Sequence, residues 1–261
     1  MLKKSLMIMG LTNKVVLKCE NVCLDIPVVS KTELTFKKKF IRSITGGQVS
    51  SKKGITTIKA LSNLNLTIYS GQRIALIGHN GSGKSSFIRL ISGIYTPTSG
   101  IFKSSTNIYP LLHKSFLVSP SLTGIDAAKA HYLLIKNNFK NFDLFLEDVK
   151  NFSGLGDFMS LPITTYSDGM AARLMFSLLT YHSHEFLALD EGIGTGDAAF
   201  YNKANTRLTE FIGKSGTLVF ASHSKELLQK FCTRGLVFSE GTIVYDGHLE
   251  DAIEYYDSKH S

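Results

Sequence analysis

Apolar residues in this chain come in short runs that alternate with longer stretches of helical spacing. Val15, Val16 and Leu17, followed by Lys18, Cys19, Glu20, Asn21 and Val22, read as a strand, and a second strand region runs over 56–68. Arg73-Ile74-Ala75-Leu76-Ile77 is a compact apolar run, as are 185–189, 217–221 and 235–238. Continuous apolar runs with polar or glycine boundaries mark strands buried on both faces. Between them, 85–91 reads as a helix, and 120–160 is mostly helical, with Tyr132, Leu133, Ile135, Phe139, Phe142, Leu144, Phe145 and Val149 at amphipathic spacing. Residues 93–100, rich in Gly, Thr, Pro and Ser, form a turn. Strands alternating with helices predict an α/β core around a parallel sheet. Ligands of such a sheet bind at the carboxyl ends of its strands.

Composition changes this picture in one place. The stretch 28–59 holds eight Lys or Arg against a single acid, Glu33, and includes Lys37, Lys38 and Lys39. It reads as a basic insertion. Leu34, Phe36, Phe40, Ile41 and Ile44 are spaced as on one helix face, so it is either a solvated basic loop or a short amphipathic helix at a membrane or membrane partner. The whole chain of 261 residues carries +8, which suits nucleic acid, nucleotide phosphates or an anionic surface without choosing between them. No window approaches the ~20 apolar residues needed to span a bilayer, so a soluble or peripheral protein is expected. The first residues resemble a signal peptide only faintly, because the apolar run is short and no small-residue cleavage site follows before Asn13-Lys14. Cys19 and Cys23 lack a second ligand pair at zinc spacing, and together with Cys232 are expected to be reduced thiols.

The chemistry begins where the run 73–77 ends. Gly78-His79-Asn80-Gly81-Ser82-Gly83-Lys84-Ser85 fits G-x-x-x-x-G-K-[ST] between a strand and a helix. Its glycines let the backbone turn tightly and aim its N–H groups inward, and the helix dipole adds positive potential, so the loop cradles phosphates. Lys84 reaches the β- and γ-phosphates, Ser85 is placed for Mg²⁺, and Ser86 completes the expected ATP-binding stretch that begins at Gly78. Phe186-Leu187-Ala188-Leu189 ends in Asp190 and Glu191. Asp190 is placed to hold Mg²⁺ and Glu191 to polarise the attacking water. Another apolar run, 217–221, leads to His223, 32 residues after Glu191 and a candidate for the γ-phosphate region.

Tyr166-Ser167-Asp168-Gly169-Met170 precedes a helical run and lies 23 residues, counted from Ser167, before Asp190. With the loop, the acidic strand and the histidine in this order, the chain resembles an ABC-type ATPase over roughly 15–247. The resemblance implies that Ser167, Asp168 and Gly169 form the signature that a second copy presses onto the first copy's γ-phosphate. Asp197, in Gly194-Thr195-Gly196-Asp197, would then belong to the D-loop across the dimer interface. Tyr166 and Met170 stand where the family signature usually has Leu and Gln, and Y-S-x-G-M is typical of polysaccharide exporters for O-antigen, capsule and teichoic acid. The G-H-N-G of the loop, 92–100, Ser121-Leu122-Thr123-Gly124 and Asp25-Ile26-Pro27 resemble the same branch.

The resemblance implies a single ABC ATPase domain over 1–261: a P-loop NTPase α/β core, an antiparallel β subdomain and a helical subdomain at about 110–175. It further implies ATP and Mg²⁺ as ligands. A second copy of the chain and an integral membrane permease are implied as partners, with a polysaccharide as the cargo reached through the permease. No nucleic-acid partner is expected, and the location would be peripheral, on the cytoplasmic face of the cell membrane. The alternatives are another ABC transporter, for a lipid, a drug or an imported solute, and a soluble ABC ATPase without a transport role. Three positions depart from the family pattern. Asp168 stands where many relatives have Gly or Ser. The usual sensing glutamine is missing near 109–114, where His113 is the nearest polar residue. Ile26-Pro27 falls where an aromatic usually stacks on adenine.

Overall fold

The computed structural model describes residues 14–28, 48–52, 55–111, 119–190 and 198–260. Two compact units emerge. One comprises Met1–Leu111, His184–Glu191 and Ser215–Ser261, the other Leu112–Ser183 and Gly192–Lys214.

The first unit is built on two sheets. Strands β1 (Val15–Val28), β2 (Gln48–Lys52), β3 (Ile55–Tyr69) and β5 (Ser99–Ser104) form an antiparallel sheet in the order β2-β3-β1-β5. The second sheet runs β10-β9-β4-β8-β7-β6, from β10 (Thr242–His248) and β9 (Arg234–Ser239) through β4 (Arg73–Ile77), β8 (Thr217–Ala221) and β7 (Phe186–Leu189) to β6 (Tyr109–Leu111). All its pairs are parallel except β10 with β9. Every residue of β7 and β8 is buried, which is why these strands read as unbroken apolar runs. Helices α1 (Lys84–Ile91), α6 (Lys225–Phe231) and α7 (Leu249–His260) complete this unit.

The described part of the basic stretch is strand. Ile55-Thr56-Thr57-Ile58 is an unbroken run of β-branched residues, the type that fits a pleated surface, and pairs with β1 out to Val28 opposite Thr56. The helix-like positions 34–44 and the lysines at 37–39 lie outside the described residues.

The second unit is helical: α2 (Gly124–Lys136), α3 (Phe142–Ser153), α4 (Asp168–Leu179) and α5 (Ala198–Lys214), with 3₁₀ turns at Gly156–Ser160 and Ile163–Thr165. Its core gathers Tyr132, Phe145, Val149, Met159, Leu174 and Leu178. It extends past the expected 110–175 because non-local contacts continue it. Phe152, Phe176 and Phe200 pack together, and the Arg207 guanidinium donates two hydrogen bonds to Asp148, at 3.1 and 2.5 Å.

Candidate active site

The phosphate-loop residues leave β4 at its carboxyl end, and Gly78, Gly81 and Gly83 all hold positive φ, at 150°, 83° and 113°. A Cβ on Gly78 would sit 2.5 Å from the Phe238 carbonyl oxygen, so this turn closes only without a side chain. Lys84 is buried, and its ammonium donates to the carbonyls of Gly78 at 2.5 Å and His79 at 3.0 Å. Helix α1 starts at Gly83 with no side-chain cap and no acid in its first turn. Its leading N–H groups therefore face the loop unclaimed by any side-chain cap. Ser82 is fully buried and its hydroxyl finds no hydrogen-bond partner.

An uncapped helix start, a buried ammonium and an orphaned hydroxyl around one glycine-rich turn are what a bound phosphate chain requires. The donor set fits such a group. The loop opens on a cleft of about 510 Å³ within the first unit. Asn80, Gly81, Gly83, Lys84, Ser85, Ser86, Asp190 and His223 line it, while Gly78, His79 and Ser82 shape the loop without lining the cleft. Asp190 follows β7, and its amide donates to the Leu111 carbonyl at 3.1 Å. His223 lies just beyond β8, with Nε2 3.1 Å from the Asn80 side-chain oxygen. Glu191, Asp197 and His113 lie outside the described residues.

Sequence reasoning missed part of the cleft. Ile58, Lys59 and Ala60 of β3 and Glu240 and Gly241 of the β9–β10 turn also line it, beside Ile26, which sits opposite Ile58 across the β1–β3 pair. Gly241 locks the phosphate loop to the antiparallel sheet: its amide donates to the Ser82 carbonyl at 2.9 Å and its carbonyl accepts from the Ser62 amide at 2.8 Å. At φ 77° a Cβ there would lie 2.6 Å from the Ala60 carbonyl oxygen. The Glu240-Gly241 turn signal was present in the sequence, but nothing local ties it to the loop.

In the helical unit, Ser167 is the N-cap of α4 and its hydroxyl accepts from the Met170 amide at 3.2 Å. Asp168 and Gly169 form the first turn, with Asp168 exposed.

Residues 61–194 match the family model described as ABC transporter, slightly over half the chain. The chain belongs to the ABC transporter family. Within the family it is an ABC-type ATPase, the ATP-hydrolysing subunit. It is 35% identical over 228 residues to the O-antigen export system ATP-binding protein RfbE of Yersinia enterocolitica, covering 85% of this chain and 95% of that protein. It is 32% identical over 202 residues to the teichoic acids export ATP-binding protein TagH of Enterococcus faecalis, covering 77% of this chain and 45% of that protein. Among solved structures, the dimeric ATP-binding cassette MJ0796 with ADP and Pi superposes at a TM-score of 0.62 and 18% identity, over 89% of this chain and 98% of that one. That likeness shows the shared fold.

Proposed function

We propose that this ABC ATPase powers export of a polysaccharide across the cytoplasmic membrane, as a pair of identical chains bound to an integral membrane permease. The observation that carries the cargo is the 35% identity to an O-antigen export ATP-binding protein across 95% of that protein's length. Among the described residues no helix is long and apolar enough to cross a membrane, and in this reading the permease supplies the membrane path.

Each site residue takes a part in this reading. Lys84 leaves the Gly78 and His79 carbonyls for the β- and γ-phosphates, while loop amides and the α1 N-terminus hold the phosphate oxygens. Ser85 and Asp190 line the same cleft and would hold Mg²⁺. That ion takes one or two protein oxygens plus phosphate and water, and it neutralises phosphate charge when bound. Glu191 orients and polarises the attacking water, and His223, steadied by Asn80, reaches the γ-phosphate. Ser167 and Gly169 of a second copy close the site from the other side, with Asp197 at the interface. Closure on ATP and release after hydrolysis turn the chemistry into motion of the permease.

Glu191→Gln tests the enzymatic half. ATP binding persists and turnover falls by about 10²- to 10⁴-fold; undiminished turnover refutes the role. For the transport half, tagged protein is pulled from its native membranes in gentle detergent. An integral membrane protein recovered in about equal amount supports export. Recovery from the soluble fraction alone, or with ribosomes or DNA, overturns it. A strain lacking the gene should also retain lipid-linked polysaccharide inside the membrane.

A further inference from the structure

The segment that ends in the signature serine is tied back onto the start of α2. Ile163 donates its amide to the Leu122 carbonyl at 2.9 Å and Thr164 donates to the Pro120 carbonyl at 3.0 Å. Thr123 and Pro162 form an antiparallel bridge. Thr123 also caps α2, accepting from the Asp126 amide at 3.1 Å. At the end of this strap stands Tyr166, half-buried, in the position directly before Ser167.

The Tyr166 hydroxyl touches two elements. It donates to the Phe158 carbonyl at 2.6 Å, in the 3₁₀ turn that follows α3. The same oxygen lies against the backbone of Gly124, the first residue of α2, and burial raises this phenol, the Gly124 backbone partly offsetting it. The fit is close: a Cβ on Gly124 would lie 2.6 Å from the Tyr166 oxygen and 3.0 Å from the Met159 sulfur. One hydroxyl thus joins the N-terminus of α2, the turn after α3 and the residue that precedes the α4 cap. A leucine or a phenylalanine at this position cannot make the hydrogen bond to Phe158.

We infer that Tyr166 is a positioning residue: its hydroxyl registers Ser167 and the α4 N-terminus against α2 so that the signature is presented in one geometry to the nucleotide of a second copy. The inference rests on the reading that Ser167 meets that nucleotide. Preorganisation of this kind acts on closure and turnover and leaves nucleotide binding by a single chain untouched, because the cleft that holds the nucleotide contains none of these residues.

Purified full-length chains test it. Tyr166→Phe should bind a fluorescent ATP analogue as wild type does and keep its Tm. Its turnover should fall about five- to ten-fold, with half-maximal turnover shifted to higher protein concentration. Gly124→Ala should produce the same loss in wild type, yet add little in Tyr166→Phe, where the oxygen it would strike is gone. Ser167→Arg reports on the underlying reading. Should Ser167→Arg hydrolyse ATP normally, the signature assignment fails and the inference with it. Should Ser167→Arg be inactive while Tyr166→Phe turns over as wild type at every protein concentration, the inference alone is overturned. A Tyr166→Phe that loses Tm and ATP affinity together with turnover shows a fold prop, which also overturns it.

Discussion

Two helix starts carry the chemistry in the proposed mechanism, and they are finished in opposite ways. Helix α1, in the nucleotide-binding unit, begins at Gly83 with no side-chain cap and no acid in its first turn. Helix α4, in the helical unit, begins at Ser167, whose hydroxyl already accepts from the Met170 amide, and carries Asp168 in its first turn. Helices α2 and α6 follow the α4 pattern, with Thr123 and Ser224 as caps. Helix α3 also lacks a side-chain cap but carries Asp143 in its first turn, so of these five helices α1 alone is without both. A helix start stripped of cap and carboxylate gives up stability to leave its N–H groups to an anion. The α4 end is self-sufficient, which suits a surface exposed for part of a cycle and called on only when a second copy closes.

Removing the cation of the open end should have the largest effect. Lys84→Ala takes away the ammonium that holds the Gly78 and His79 carbonyls and that would bind phosphate. Charge-assisted hydrogen bonds of this kind contribute about 2–3 kcal/mol, so ATP affinity should fall by roughly 30- to 150-fold in a titration with a fluorescent analogue. An affinity within two-fold of wild type would mean that the open helix start alone holds the phosphates.

The units also differ in their buried ionisable groups. In the nucleotide-binding unit, burial pushes the Cys19 and Cys232 thiols up to about 12, so the stability tied to their neutral form is complete below the unfolded thiol pKa of about 8.5 and is lost as pH rises toward 12. In the helical unit, His131 is buried against Phe145, and its Nε2 has no hydrogen-bond partner. Burial pushes its pKa down to about 4, with the Leu178 backbone pulling weakly the other way. The unfolded chain takes up this proton near pH 6.5, before the folded one does. Stability from His131 is thus complete above pH 6.5 and lost as pH falls toward 4. Between pH 7 and pH 5 the loss amounts to about 2 kcal/mol. Denaturant melts at the two pH values should show this difference, and His131→Leu should flatten it. An unchanged slope in that variant would move the acid sensitivity elsewhere.

These contrasts show why some of the site could be read from the sequence. The phosphate loop, Asp190 and His223 sit at the ends of apolar strands, and each is set by a contiguous run whose backbone geometry needs those residues in that order. Lys59 and Glu240 come to the same cleft only through strand pairing and through a hairpin turn locked at Gly241, so no local spacing announces them. The helical unit shows the same limit. Residues 198–214 join it through Phe200 on Phe152 and Arg207 on Asp148, contacts across about fifty residues that periodicity does not register. Within the basic stretch, the strand region expected from residue 56 is observed as part of β3, paired with β1 as far as Val28 opposite Thr56, whereas β2 had no strand reading.

The capped helix start supplies the two smaller effects. Ser167→Ala removes the α4 cap and should cost the helical unit about 1 kcal/mol, seen as a lower denaturation midpoint. A midpoint equal to wild type would mean that the hydrogen bond at 3.2 Å carries no stability. Asp168→Asn is subtler, because two forces on one carboxylate have opposite signs. Negative charge in the first turn of α4 complements the helix dipole, so its loss should lower Tm by about 1 °C. The same charge would oppose the triphosphate that a second copy brings to this helix end, so its loss should raise turnover by about two-fold in moderate salt. Both terms are screened, and the turnover gain should shrink as ionic strength rises. A lower Tm with unchanged turnover at low salt would mean that Asp168 serves only its own helix, and that α4 meets the nucleotide through Ser167 and Gly169 at a distance the carboxylate does not feel.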